Sequence, residues 1–164
     1  MGFEIKKMFS ASWKKAAKYA ATWGVIVGAM TLIMNAIQIL AVTMVLAVIL
    51  IGLSLIVPIA IGYLSTRAYA AKSAIAMGAG ATNGAVSGAV YSIVMIIIAL
   101  IFIVINYGVA VLFGITWGIE YAVETLIEGV IVVVLTIILG IPILGIVSAI
   151  AGAIGGAAYS MLKK

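Results

Sequence analysis

The sequence contains neither cysteine nor histidine, and only four of its 164 residues are acidic. Without cysteine there can be no disulfide and no thiolate metal site. Without histidine the commonest metal ligand and general base is missing. Charged residues make up 8 % of the chain, whereas soluble domains have about 25 %. We therefore expect a protein that is not an enzyme and that holds no metal and no cofactor.

Apolar residues are abundant instead. They make up 67 % of the chain, and the mean hydropathy is +1.44. Soluble domains are about 45–50 % apolar, and a water-soluble fold of this length could not bury such an excess. The composition therefore predicts an all-α fold, namely a polytopic integral membrane helical bundle. The expected partner of such a bundle is the lipid bilayer.

Residues 1–20 have a pattern of their own. Apolar residues recur there at helical period, and lysines occupy the other face. This is typical of an amphipathic basic interfacial helix that binds anionic lipid headgroups. A basic flank that only fixes the orientation of the chain in the membrane fits the composition equally well. We expect no nucleic-acid partner. The candidate headgroup ligands are Lys7, Lys14, Lys15, Lys18 and Trp13.

Residues 21–164 are expected to form a single transmembrane domain. Residues 19–64, which begin just before this domain, carry no charged side chain. As one helix they would be about 70 Å long, more than twice the roughly 30 Å of the hydrocarbon core. The stretch must therefore fold back, and we place its turn near Ala41–Thr43. The four predicted spans are 21–41, 44–63, 84–106 and 129–160.

The distribution of charge favours four spans. If 19–64 crosses twice, all nine Lys and Arg residues lie on one side of the membrane. That side is cytoplasmic by the positive-inside rule. Both termini are then cytoplasmic, and the acidic stretch 107–128 forms a loop on the outer side.

A weak internal repeat leaves a five-span alternative open. The triplet Thr-Trp-Gly occurs at 22–24 and again at 116–118, and Thr-Leu-Ile follows at the same spacing in both places. A degenerate duplication would make 116–138 a span of its own and would move the C-terminus to the outside. Parallel repeats of this kind occur in transport proteins.

Small residues recur at every fourth position in three places. In lipid, helices associate by close approach over such small residues, because hydrophobicity does not drive apolar helices together there. The three ridges either pack helices within one subunit or join subunits, as a homo-oligomer or with a membrane-protein partner. They consist of Gly24 and Gly28, of Gly80, Gly84 and Gly88, and of Ser148, Gly152 and Gly156.

Three of the four acids, Glu120, Glu124 and Glu128, are spaced i, i+4, i+8. On a helix this spacing places them on one face. In an oligomer such a face could line a cation pathway. The alternative is a water-facing side of an interfacial helix, in which case the acids only set the orientation.

The leading functional hypothesis is a non-enzymatic structural or assembly component of a membrane. The alternatives are an oligomeric ion channel or holin-like permeabilising protein lined by the three glutamates, an envelope or coat protein of an archaeal virus, and a small-substrate carrier. In being small, helical and built from hairpins, the predicted protein resembles holins and the envelope proteins of lipid-containing archaeal viruses.

Overall fold

The computed structural model describes residues 2–37, 40–70 and 75–163. Within these ranges the chain is helical and has no β-strand. The elements are α1 (Gly2–Ile37), α2 (Leu40–Tyr69), α3 (Met77–Trp117), α4 (Ile119–Leu135), a π-helical segment (Thr136–Gly140) and α5 (Ile141–Leu162).

Four helices of the described chain are long and apolar enough to cross a membrane, because α4, the π-helical segment and α5 form one continuous helix. The prediction of an all-α chain with four such helices is therefore confirmed. The five-span alternative is wrong, since no break separates α4 from α5. The candidate spans are Trp13–Met34, Val48–Tyr69, Met77–Trp117 and Ile119–Leu162.

The helices alternate in direction. Helix α1 is parallel to α3, because Gly24 lies against Ile98 and Gly28 lies against Phe102. Helix α5 is antiparallel to α3. Its Ser148 meets Gly88, and Ser160, twelve residues further along α5, meets Gly80. The start of α1, the end of α2 and the end of α5 therefore lie at one end of the bundle, which we call the basic end because Arg67 and Lys163 are there.

The turn of the first hairpin does not lie at Ala41–Thr43. Ala41–Thr43, where the turn was expected, belongs to α2. These three residues include no glycine, proline or asparagine, so nothing in them interrupts a helix. The two helices are separated instead by residues 38 and 39, which lie outside the described residues.

Helix α1 runs unbroken through the boundary expected near residue 20. Alanine, the strongest helix former, occupies positions 16, 17, 20 and 21. Ala16 and Ala20 are fully buried against Ile61 and Tyr91 of the neighbouring helices. The second half of the basic segment therefore packs into the bundle, and the headgroup location of the first half stays a prediction.

The loop expected at 107–128 is wrong, since the stretch is helical except for one residue. Helices α3 and α4 meet at Gly118, whose φ of 135° and ψ of 146° fall in a region that only glycine adopts readily. On either side of the turn the two helices are in contact, because Gly114 of α3 lies against Ala122 of α4, and Gly129 of α4 lies against the ring of Tyr107 of α3. The second hairpin therefore stays packed up to its tip.

The π-helical segment has a local cause in the sequence. Pro142 lies two residues after its end, as the second residue of α5. A proline has no N–H to donate to the preceding turn, and its ring clashes with the carbonyl one turn back. A wider π-turn relieves this clash without ending the helix. The long helix Ile119–Leu162 therefore continues past its proline.

Candidate functional site

Helices α3 and α5 meet backbone to backbone along two of the predicted ridges. A Cβ atom added at Gly84 would overlap the carbonyl oxygen of Gly152, and one added at Gly152 would overlap that of Gly84. Gly80 and Gly156 make the same reciprocal contact. The Cα hydrogens of each glycine thus face a carbonyl oxygen of the opposite helix, an arrangement that forms weak hydrogen bonds.

The same surface of α5 also receives α2. A Cβ at Gly62 would overlap the carbonyl oxygen of Gly152, and one at Gly155 would overlap that of Ile59. Helices α2 and α3 thus converge on one short stretch of α5. We call this region, formed by residues 59–66 of α2, 80–88 of α3 and 148–160 of α5, the glycine seam.

Four fully buried polar residues lie within the glycine seam: Ser65 and Thr66 on α2, and Asn83 and Ser87 on α3. The hydroxyl oxygens of Ser65 and Ser87 are 2.6 Å apart. The Asn83 amide donates to Thr66 Oγ1 at 3.1 Å, and Thr66 donates to the Gly80 carbonyl at 3.3 Å. These bonds satisfy groups that would be costly to bury in an apolar medium without partners.

Sequence reasoning missed this polar cluster, because the predicted spans 44–63 and 84–106 leave Ser65–Asn83 between them as a connection. Residues 65–69 and 77–83 of that stretch are helical, and Ser65, Thr66 and Asn83 are fully buried. A signal was present in the spacing, because residues at i, i+3, i+4, i+7 and i+8 share one helix face. On α3 that face carries Gly80, Asn83, Gly84, Ser87 and Gly88.

The first ridge lies on α1. Gly24 lies against Met95 and Ile98, and the ring of Phe102 covers Gly28. Nearby, Trp23 Nε1 donates to Ser54 Oγ at 3.3 Å, which links α1 to α2. All three ridges are thus in contact within one subunit, and a role between subunits stays a prediction.

The candidate headgroup residues lie on the outside of α1. Lys14, Lys15 and Lys18 are exposed, as is Trp13. The side chain of Lys7 lies outside the described residues. An exposed indole followed by exposed ammonium groups suits the membrane interface, where apolar and charged groups meet.

The three glutamates occupy the outer face of α4. Ala122, Thr125 and Gly129 are the buried residues of this helix, and at 100° per residue they lie opposite Glu120, Glu124 and Glu128. All three glutamates are exposed. They therefore face away from α3, toward whatever surrounds the subunit.

Among the described residues, no three acidic side chains come together as a metal-binding group. No protein-family model matches the chain, and comparisons with curated proteins and with solved structures also find no match. The class that the fold defines is a helical protein with four helices compatible with a membrane location.

The glycine seam generates a prediction about stability. Gly152→Ala places a methyl group against the backbone of α3 at Gly84 and Gly88, and we expect it to lower the free energy of unfolding by about 1–3 kcal/mol. Gly145→Ala is the control on the same helix, because its Cβ would only reach Ser92 Oγ at 3.9 Å. It should leave stability unchanged or raise it by up to about 1 kcal/mol.

Unfolding of both variants can be followed by circular dichroism during denaturation in mixed detergent micelles. Equal stability of Gly152→Ala and Gly145→Ala would contradict the backbone contact at residue 152.

Proposed function

We propose that this chain is a non-enzymatic integral membrane protein that serves as a structural or assembly component. The observation that carries the proposal is the closed interior of the glycine seam. There α2, α3 and α5 approach until their backbones touch, and the buried hydroxyl and amide groups bond to one another. Within the part of the chain that the structure describes, the glycine seam leaves no room for a substrate or an ion between α2, α3 and α5.

The charge distribution supports an orientation for the proposed membrane protein. Arg67 and Lys163 lie at the basic end, whereas Glu120 and Glu124 lie near the opposite end of the bundle, next to the Gly118 turn. The positive-inside rule assigns the basic end to the cytoplasm. Both termini are then cytoplasmic, and the tip of the α3–α4 hairpin is on the outer side.

Two exposed glycines support assembly. A Cβ added at Gly52 on α2 or at Gly108 on α3 would meet nothing within 4 Å. A helical glycine costs about 1 kcal/mol relative to alanine, and these two gain no packing within the subunit in return. A helix of another subunit could approach closely over either glycine. The partner that best fits this arrangement is a second copy of the chain.

A second candidate function is an oligomeric cation pathway, which the outward direction of the three glutamates favours. A ring of subunits that turned α4 inward would bring the exposed carboxylates of Glu120, Glu124 and Glu128 to a common axis. Rings of carboxylates are typical of cation-selective pores. The structural and pore hypotheses therefore differ in what lies against α4.

Mass measurement in mild detergent tests the assembly proposal. We expect the parent chain to be an oligomer and the double variant Gly52→Leu/Gly108→Leu to be a monomer of unchanged helicity, because the added side chains block only contacts between subunits. Gly78→Leu is the control, since residue 78 is an equally open glycine in the first turn of α3. A monomeric parent, or a double variant that keeps the parent mass, would contradict the proposal.

Cation flux into liposomes separates the two candidate functions. If the role is structural, the reconstituted parent conducts no more than protein-free liposomes. If α4 lines a pore, the parent conducts, and replacement of all three glutamates by glutamine lowers the flux because the carboxylate ring is lost. Flux in the parent that depends on the glutamates would therefore replace the structural proposal with the pore.

A further inference from the structure

An open cleft of 460 Å³ lies at the basic end, between the last turns of α2 and α5. It shares Tyr63 and Tyr159 with the edge of the glycine seam, but its two cations and Leu162 lie beyond the seam, and it is separate from the acidic face of α4. Its lining combines two cations, two phenols and one apolar side chain, namely Arg67, Lys163, Tyr63, Tyr159 and Leu162.

The two tyrosines form the base of this basic cleft. The rings of Tyr63 and Tyr159 meet edge to face, with centroids 5.3 Å apart and planes at 82°. This is a preferred aromatic geometry. Tyr159 is almost completely buried, so the floor of the cleft is fixed by packing between α2 and α5.

Lys163 is held at the cleft by two contacts. Its ammonium lies 5.5 Å from the ring centroid of Tyr159, which is within the range of a cation–π interaction. The same nitrogen donates to the carbonyl of Ala70 at 3.4 Å, just beyond the end of α2, where the helix dipole favours a cation. The ammonium is therefore placed at the cleft before any ligand arrives.

Arg67 is an exposed residue in the last turn of α2. The described carboxylates, Glu120, Glu124 and Glu128, are near the opposite end of the bundle and cannot balance its charge. A guanidinium offers two parallel N–H donors that match the oxygens of a phosphate. Among the side chains that the structure describes, Arg67 and Lys163 thus supply two cations with no carboxylate beside them, which suits an anionic ligand.

We propose that the basic cleft binds a phosphate group, carried by an anionic phospholipid headgroup or by free phosphate. Arg67 is its bidentate donor, and Lys163 supplies the second positive charge. The two tyrosines can add neutral O–H donors, and Leu162 offers an apolar surface to a glycerol backbone. Basic pockets between transmembrane helices at the cytoplasmic side are typical headgroup sites. The proposal that the phosphate belongs to a lipid rests on the proposed membrane location, whereas the proposal that the cleft binds a phosphate group does not.

Native mass spectrometry of the purified full chain tests the cleft. The protein in mild detergent is mixed with phosphatidylglycerol or with phosphatidylcholine, and the lipid molecules retained per subunit are counted. We expect the parent to retain phosphatidylglycerol preferentially. Arg67→Gln/Lys163→Gln should lower that affinity by about tenfold or more, because both phosphate ligands are lost.

Lys14→Gln/Lys15→Gln is the matched control. It removes the same charge from exposed positions on α1, where the lysines are themselves predicted to contact headgroups. It should weaken retention clearly less than Arg67→Gln/Lys163→Gln does, since exposed charges outside a cleft contribute little. Arg67→Lys keeps the charge but loses the paired donors, so its affinity should fall between the parent and the double glutamine variant. This single substitution decides the result if the double variant does not fold.

Titration of the lipid-free protein with inorganic phosphate distinguishes the two sources. Binding of inorganic phosphate that is lost in Arg67→Gln/Lys163→Gln identifies free phosphate as the ligand. Retention of phosphatidylglycerol without phosphate binding identifies the headgroup. Equal losses in the two double variants, or a parent that neither prefers phosphatidylglycerol nor binds phosphate, would overturn the proposal. The assembly proposal would stand in that case, since it is decided by mass.

Discussion

The fold depends on the close approach of α3 and α5 over glycine. In a bilayer, two apolar helices gain no hydrophobic free energy by meeting, because lipid is as apolar as their side chains. Dispersion and weak Cα–H hydrogen bonds have to hold them together, and both require the backbones to touch. The reciprocal pairs Gly84–Gly152 and Gly80–Gly156 meet that requirement, and α2 packs against the same surface.

Closure of the seam leaves the outer surfaces as the places where this molecule can act. The acidic face of α4 and the open glycines Gly52 and Gly108 lie outside the seam, and the basic cleft opens at its edge. They are separated along the bundle, with carboxylates near one end and the cations Arg67 and Lys163 at the other. The proposed structural role, the proposed lipid contact and the pore alternative therefore depend on different residues.

Composition and charge were sufficient to predict the helical class and four helices able to span a membrane, because both follow from the length of uncharged stretches. The details near the ends of the helices were not predictable in the same way. The polarity of Ser65–Asn83 was taken for a connection, although its hydroxyls and amide are satisfied by one another across a helix interface. The stretch 107–128 was taken for a loop, although one glycine, Gly118, is enough to reverse the chain. Both errors arise because polarity along a sequence does not reveal which polar groups will find partners.

The most direct test of the glycine seam is a cross-link inside one subunit. The chain has no cysteine, so Ser65→Cys/Ser87→Cys introduces a single possible pair, at positions whose hydroxyl oxygens are 2.6 Å apart. Mild oxidation of the protein in membranes should give an intrachain disulfide that changes mobility on a denaturing gel while the mass stays that of a monomer. A pair that stays reduced, or that cross-links two copies instead, would contradict the seam as the interior of one subunit.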